Sequence, residues 1–164
     1  MPLPPSKSSD RTGDCFATAL RLLARRDHTV AELEIKLARR GFTTEAITDC
    51  HNRLCQLGYL DDSRVARLMA RSFQRKGMVG FRLRQELVKK GIDRPLIDTV
   101  MAELSAEYDE ETAMRTLVSR RYPAFVATTA ELREKKRVHD FLCRRGFSPS
   151  TISRLLKGID GDSP

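Results

Sequence analysis

The sequence predicts an all-α protein made of three tandem three-helix repeats. The first observation is compositional: of 164 residues, 40% are hydrophobic and 32% charged, none is tryptophan, and helix-favouring Leu, Arg, Ala, Glu and Lys dominate. The second is a helix–glycine–helix pattern that occurs three times, centred on Gly41, Gly91 and Gly146 at spacings of 50 and 55 residues. Because neighbouring repeats in such chains contact mainly each other, we expect an elongated, curved array.

Each repeat places the same kinds of residue at the same distances from its glycine. The three segments are ELEIKLARRGFTTEAITDCHNRL (Glu32 to Leu54), RLRQELVKKGIDRPLIDTVMAEL (Arg82 to Leu104) and RVHDFLCRRGFSPSTISRLLKGI (Arg137 to Ile159). A leucine stands four residues before each glycine and an apolar residue directly follows it. We therefore predict a left-handed glycine that ends one helix, followed by a helix that Thr43, Asp93 or Ser148 caps.

A further helix is predicted before each pair, over residues 14–26, 62–76 and 107–121. In the second of these helices, the spacing of Val65, Leu68, Met69 and Phe73 predicts a buried stripe. The predicted modules are residues 13–60, 61–105 and 106–159. Polar, Pro/Ser/Gly-rich tails at residues 1–12 and 160–164 are predicted to be disordered.

The charge of the chain favours an acidic or polyanionic partner. The net charge is +8 with a pI near 9.7, and residues 61–105 are the most basic part, with 10 basic and 6 acidic residues. Four arginines at spacings of 3, 4 and 4 share one helical face of about 80°. This predicted basic ridge consists of Arg64, Arg67, Arg71 and Arg75, and Lys76, Arg82 and Lys89 continue it.

Two interpretations of this charge remain open. The ridge could be a solvated outer face, although such faces gain from acid–base pairs four residues apart and only Glu86 is placed to provide one in the stretch from Arg75 to Ile92. The basic pairs before the glycines either stabilise the negative end of a helix dipole or display charge to a partner in register. These pairs are Arg39 and Arg40, Lys89 and Lys90, and Arg144 and Arg145.

Catalytic and metal-binding patterns find little support. The sequence has no nucleophile elbow, phosphate-binding loop or HExxH motif, and its three histidines stand in unrelated contexts. Cys50, His51 and Cys55 lack a matching ligand pair elsewhere, and Cys50 falls at a core position. Either Asp61 or Asp62 is placed to cap the following helix. We therefore expect free thiols, no metal and no cofactor.

No stretch of the sequence suggests a membrane span or a signal peptide. Apolar runs fall short of the twenty or so residues that a span needs, and the N-terminal MPLPPSKSSDRTGD has no apolar core. We expect a cytoplasmic protein without membrane contact.

Three stretches together resemble the RecX family of bacterial regulators of the RecA recombinase. They are LLARRDHTVAELEIKLARRGF (Leu22 to Phe42), LGYLDDSRVARLMARSFQRKG (Leu57 to Gly77) and RLRQELVKKGID (Arg82 to Asp93). The resemblance is strongest over residues 15–104 and looser in the third repeat. The third repeat, which carries the extra segment YPAFVATTAEL at Tyr122 to Leu132, is the least typical of the family.

The resemblance implies a non-enzymatic monomer that lies in the groove of the RecA filament on single-stranded DNA and inhibits strand exchange and ATP hydrolysis. The partners would be the filament and its single-stranded DNA, with weak non-specific binding to other DNA. The basic residues named above would form the contacts. Structural roles fall to the three repeat glycines and, in the GYLDD stretch, to Tyr59, Asp61 and Asp62.

The alternative is a free-standing helical DNA-binding protein. Helix–turn–helix pairs can enter a major groove, but a recognition helix then carries Arg, Asn or Gln toward the base edges. The helices after the glycines, beginning TTEAITDC, DRPLIDTV and SPSTISRL, carry few such residues. A nuclease would need clustered carboxylates or a metal site, which the sequence does not suggest.

Overall fold

The computed structural model describes the backbone of residues 7–158 and side chains from Asp14 to Gly158, Glu107 excepted. Within that range the chain forms nine helices and no strand, which confirms the predicted all-α fold class. The helices are α1 (Lys7–Leu23), α2 (Val30–Ala38), α3 (Thr44–Gln56), α4 (Asp62–Arg75), α5 (Gly80–Lys89), α6 (Arg94–Glu107), α7 (Glu110–Arg121), α8 (Leu132–Arg145) and α9 (Pro149–Lys157). None of these helices has the length and apolar composition that crossing a bilayer requires.

The chain divides into two compact units, each with its own apolar core. Unit 1 comprises the residues up to Leu68 together with Val88–Leu96. Its core contains Cys15, Ala19, Leu22, Leu33, Leu37, Ala46, Ile47, Cys50, Leu54 and Leu60. Unit 2 comprises Met69–Leu87 and the residues from Ile97 onward. Its core contains Val79, Met114, Val118, Val138, Leu142, Phe147, Ile152 and Leu155.

The repeat glycines end their helices as predicted. Gly41, Gly91 and Gly146 have φ of +84°, +77° and +95°, in the left-handed region that only glycine enters without strain. After α2, the Gly41 and Phe42 amides donate to the Ala38 and Leu37 carbonyls, at 2.9 and 3.4 Å. This is the Schellman pair of hydrogen bonds, and the residues around Gly146 repeat it.

The predicted N-caps are confirmed for the helix after each glycine. The Thr43 hydroxyl accepts a hydrogen bond from the Ala46 amide, the Asp93 carboxylate from the Leu96 amide, and the Ser148 hydroxyl from the Thr151 amide. Each cap satisfies one amide that the first helical turn leaves without a backbone partner.

Two predictions about helix positions were wrong. Leu68 is 52% exposed, and Ala66 and Ala70 are fully buried with Val65, because close packing on this side of α4 admits small side chains and turns Leu68 outward.

Residues 7–12 of the predicted disordered tail lie in α1, because a proline-free segment can extend an existing helix more easily than it can nucleate one. Residues 1–6 and the predicted tail at 160–164 lie outside the described residues.

Candidate interaction surface

In unit 1, the turn that follows α5 packs on the N-terminus of α2. Thr29, the fully buried N-cap of α2, accepts a hydrogen bond from the Glu32 amide at 3.0 Å, and its hydroxyl donates to the Lys90 carbonyl at 2.7 Å. The fit at Gly91 is close, since a Cβ there would lie 2.3 Å from the Cβ of Ala31. The glycine is therefore required both for its backbone conformation and for this approach.

Glu32 connects this turn to the rest of unit 1 by ion pairs. Its carboxylate oxygens lie 2.7 Å from Lys90 Nζ and 3.0 Å from an Arg26 guanidinium nitrogen. Burial by itself would raise the pKa of Glu32, but the hydrogen bonds and charges of Lys90 and Arg26 outweigh it and lower the pKa to about 2. Lys90, a predicted contact residue, thus has an internal partner.

In unit 2, the turn that follows α8 packs on the N-terminus of α5 in the same register. The Val79 amide donates to the Arg145 carbonyl at 2.9 Å, and a Cβ on Gly146 would lie 2.2 Å from the Val79 carbonyl oxygen. The Arg145 guanidinium donates to the Lys76 carbonyl and lies 5.2 Å from the centre of the Phe141 ring. Arg145, another predicted contact residue, is therefore also used internally.

The aspartates of the GYLDD stretch cap two different helices. Asp61 accepts a hydrogen bond from the Arg64 amide at 3.0 Å and so caps α4, as predicted. Asp62 instead accepts from the amide of Val30 at 2.9 Å, at the start of α2. Burial raises the pKa of Asp62, although the hydrogen bond from Val30 opposes the rise. Tyr59 is about half exposed, and no metal-binding cluster occurs among the described residues.

The predicted basic ridge on α4 is largely at the surface. In unit 1, Arg64 is exposed and lies 3.3 Å from Asp27, while the half-buried Arg67 donates to the Ser63 hydroxyl. In unit 2, Arg71 and Arg75 are exposed. In unit 1, the exposed Leu68 stands one turn after Arg64, so this part of α4 presents a cationic group beside an apolar side chain.

The remaining predicted contact residues differ in their surroundings. Arg82 is half-buried and lies 3.1 Å from Glu86, the acid singled out in the sequence. The exposed members of the set are Arg39, Arg40, Lys76, Lys89 and Arg144. Lys90 and Arg145 differ from all of them because they stabilise the packed turns.

Sequence reasoning missed Thr29 and Glu32, which organise unit 1. A signal for them exists, because Thr29-Val-Ala-Glu32 matches the S/T-x-x-E pattern of a capping box. The pattern accounts for the cap made by Thr29. The Glu32 side chain instead reaches Lys90, which is 58 residues away, and such a contact leaves no local trace in the sequence.

Comparison with known proteins places these features in a family. Residues 15–54, 61–101 and 109–156 match the family models described as the first, second and third three-helix domains of RecX. A regulatory protein RecX from Trichlorobacter lovleyi is 41% identical over 91% of this chain and 97% of its own length. This chain belongs to the RecX family. A second relative, the regulatory protein RecX of Syntrophotalea carbinolica, is 33% identical over 85% of this chain and 92% of its own length.

Solved structures of RecX proteins share the fold of this chain. The crystal structure of RecX from Lactobacillus salivarius matches with a TM-score of 0.73, at 22% identity over 93% of this chain and 98% of that one. The nine helices of the described residues and the three three-helix RecX domains agree with the repeats predicted from the glycines. The relatives carry the name regulatory protein RecX, which supports the prediction that this chain is a regulatory protein.

Proposed function

We propose that this RecX-family chain inhibits the RecA recombinase. It binds in the groove of the RecA filament on single-stranded DNA, bridges neighbouring protomers and suppresses strand exchange and ATP hydrolysis. Membership of a family of regulatory proteins supports a role in controlling another protein. The observation that carries the choice of partner is the pair of exposed arginines on α4 in unit 2, Arg71 and Arg75, which suits a filament of acidic protein surface and nucleic-acid phosphates.

Inhibition of this kind needs no active site. Several weak ionic contacts on one chain add as avidity, because each contact raises the effective concentration of the next. A chain held in the groove occupies the space that an incoming duplex needs and restrains the protomers that it bridges. Strand exchange and ATP turnover then fall together, in proportion to occupancy of the groove.

The test measures the DNA-dependent ATPase activity of RecA while this chain is added at increasing concentration. The wild-type chain is compared with the double variant Arg71→Glu with Arg75→Glu. Both residues are exposed on α4, so the substitutions should leave the fold intact and raise the concentration for half-inhibition by about tenfold or more. Circular dichroism verifies helicity. Strand exchange assayed on the same samples should show the same loss.

The matched control is Arg25→Glu with Arg120→Glu, two exposed arginines outside the proposed surface. The control changes net charge equally, so it should shift half-inhibition by less than about twofold if the contact is local. Equal loss in both variants would show that overall charge drives association. Full inhibition by Arg71→Glu with Arg75→Glu would show that the contact lies on another face. Absence of inhibition by the wild-type chain would overturn the proposal.

A further inference from the structure

Two of the three RecX domains receive the glycine turn of the next domain at the same place. In the first domain, Ala31 lies against Gly91. In the second, a Cβ on Gly80 would lie 2.6 Å from the Gly146 carbonyl oxygen. These receiving positions stand ten and eleven residues before the glycine of their own domain, and they hold small residues where the turn comes close.

In the third domain, the corresponding positions are Lys135 and Lys136, counted back from Gly146 in the same way. They lie at the edge of an open groove of about 760 Å³ along α8 and α9. Leu132, which is 85% exposed, and the half-buried Leu156 supply apolar surface to this groove. Counted from the repeat glycine, the groove therefore includes the positions that receive a turn in the first two domains, although α8 begins one turn earlier, at Leu132.

The charge around the groove is predominantly positive. Lys135, Lys136 and Lys157 line it, and Asp140, which lies 3.3 Å from His139, is the one carboxylate among the lining residues. We propose that this groove binds an acidic protein segment that carries an apolar side chain. The lysines would pair with the carboxylates of that segment, and its apolar side chain would pack on Leu132 and Leu156.

A second copy of this chain fits the groove less well than an acidic segment. The turn at Gly41 would be the docking element of a second copy, and it presents the exposed Arg39 and Arg40 to a face that is already cationic. Lysines also replace the small residues that allow close approach at Ala31 and Gly80. Like charge and bulk thus both oppose self-association at this face.

Nucleic acid is the weaker match because phosphates would leave the exposed Leu132 without a partner. No residue that lines this groove belongs to α4, and the peptide-binding test that follows does not involve RecA. Binding there is independent of whether the recombinase is the partner proposed above.

The experiment measures anisotropy of a short fluorescein-labelled peptide of glutamates carrying two leucines, titrated with the full chain at fixed ionic strength. Lys135→Glu with Lys136→Glu is expected to weaken binding by about tenfold or more. The matched control, Arg25→Glu with Arg120→Glu, removes the same charge from exposed positions outside the groove and should change affinity by less than about twofold.

A second pair of measurements tests the apolar contact. Leu132→Ser should weaken binding of the leucine-containing peptide several-fold and leave binding of an all-glutamate peptide of equal length nearly unchanged. Leu132 is exposed, so this substitution should not impair folding, and circular dichroism checks this.

Four outcomes would overturn the proposal. The first is equal loss in the two charge-reversal variants, and the second is no loss in either. The third is concentration-dependent association in sedimentation that Lys135→Glu with Lys136→Glu abolishes, which would make the occupant a second copy. The fourth is loss of oligonucleotide binding without loss of peptide binding in that variant, which would make the occupant a nucleic acid.

Discussion

At the scale of single residues, Glu32 shows how a side chain can act on folding and on surface charge at once. It lies between Lys90 and Arg26, two cations that would otherwise add to the basic surface. Its lowered pKa means that the folded chain holds the carboxylate charged well below the pH at which an unfolded chain protonates it. The ion pairs therefore contribute stability that depends on pH.

We expect Glu32→Gln to lower the free energy of unfolding by about 2 kcal/mol near neutral pH. Because the folded pKa is depressed to about 2, this contribution is fully present above the ordinary pKa of about 4.5 and is lost as pH falls between the two values. The difference between wild type and variant should therefore shrink below pH 4.5 and nearly vanish at about pH 2. Urea unfolding followed by far-UV circular dichroism at several pH values measures it.

The control is Glu34→Gln, which removes an exposed carboxylate from the same helix. Its effect should stay within about 0.5 kcal/mol at every pH. A constant difference between Glu32→Gln and wild type from neutral to acid pH would contradict the assigned role of the ion pairs.

At the scale of secondary-structure elements, the glycine turns both end a helix and attach it to another. Gly41 has nothing within 4 Å of the position that a Cβ would take, whereas Gly91 and Gly146 have close neighbours there. The three glycines share one backbone conformation, yet two of them carry an additional steric requirement. Substitution can separate these two contributions.

Gly41→Ala is expected to cost about 1 kcal/mol, the penalty for a left-handed alanine. Gly91→Ala should cost at least about 1 kcal/mol more, because its Cβ would press on Ala31. Adding Ala31→Gly should recover much of that excess. Denaturant unfolding of the three variants and wild type provides the values, and equal costs for Gly41→Ala and Gly91→Ala would show that the turn shifts to accept the methyl group.

The sequence was sufficient for the features that arise from local rules. The glycine spacing and the capping residues predicted the helix ends at Gly41, Gly91 and Gly146, because φ and caps depend on neighbours within a turn. Periodicity alone could not decide which side of α4 is buried, because Val65 and Met69 lie between Leu68 and the alanines Ala66 and Ala70, which stand on nearly opposite faces of the helix.

The candidate surface was predicted less completely than the fold. Its charge is visible in the sequence, but the internal use of Lys90 and Arg145 depends on contacts with residues 58 and 69 positions away. Exposed and internally paired cations look alike in a sequence when the pairing is this distant. The structure was needed to separate Arg39 and Arg144 from Lys90 and Arg145.

At the scale of the whole molecule, the net charge of +8 predicts weak binding to naked DNA without sequence preference. Two duplexes of equal length and scrambled sequence should bind equally, and affinity should fall steeply as salt rises. Arg71→Glu with Arg75→Glu should reduce the slope of log affinity against log salt by about 2 if both contact phosphate. Anisotropy at several salt concentrations measures this, and tight selective binding to one duplex would favour the alternative of a free-standing DNA-binding protein.

The packing of the Gly91 turn on α2 has a practical consequence for dividing the chain. The first family domain ends at residue 54, but the buried Thr29 of that domain donates its hydroxyl hydrogen bond to Lys90, and Glu32 pairs with the same lysine. An expression fragment cut at the domain boundary would expose Thr29 and Ala31 to solvent and would take Lys90 away from Glu32, leaving Arg26 and His28 beside that carboxylate. A fragment that keeps these contacts has to extend past Gly91, and unit 1 itself continues to Leu96, so the family domain is shorter than the stretch of chain that its own contacts require.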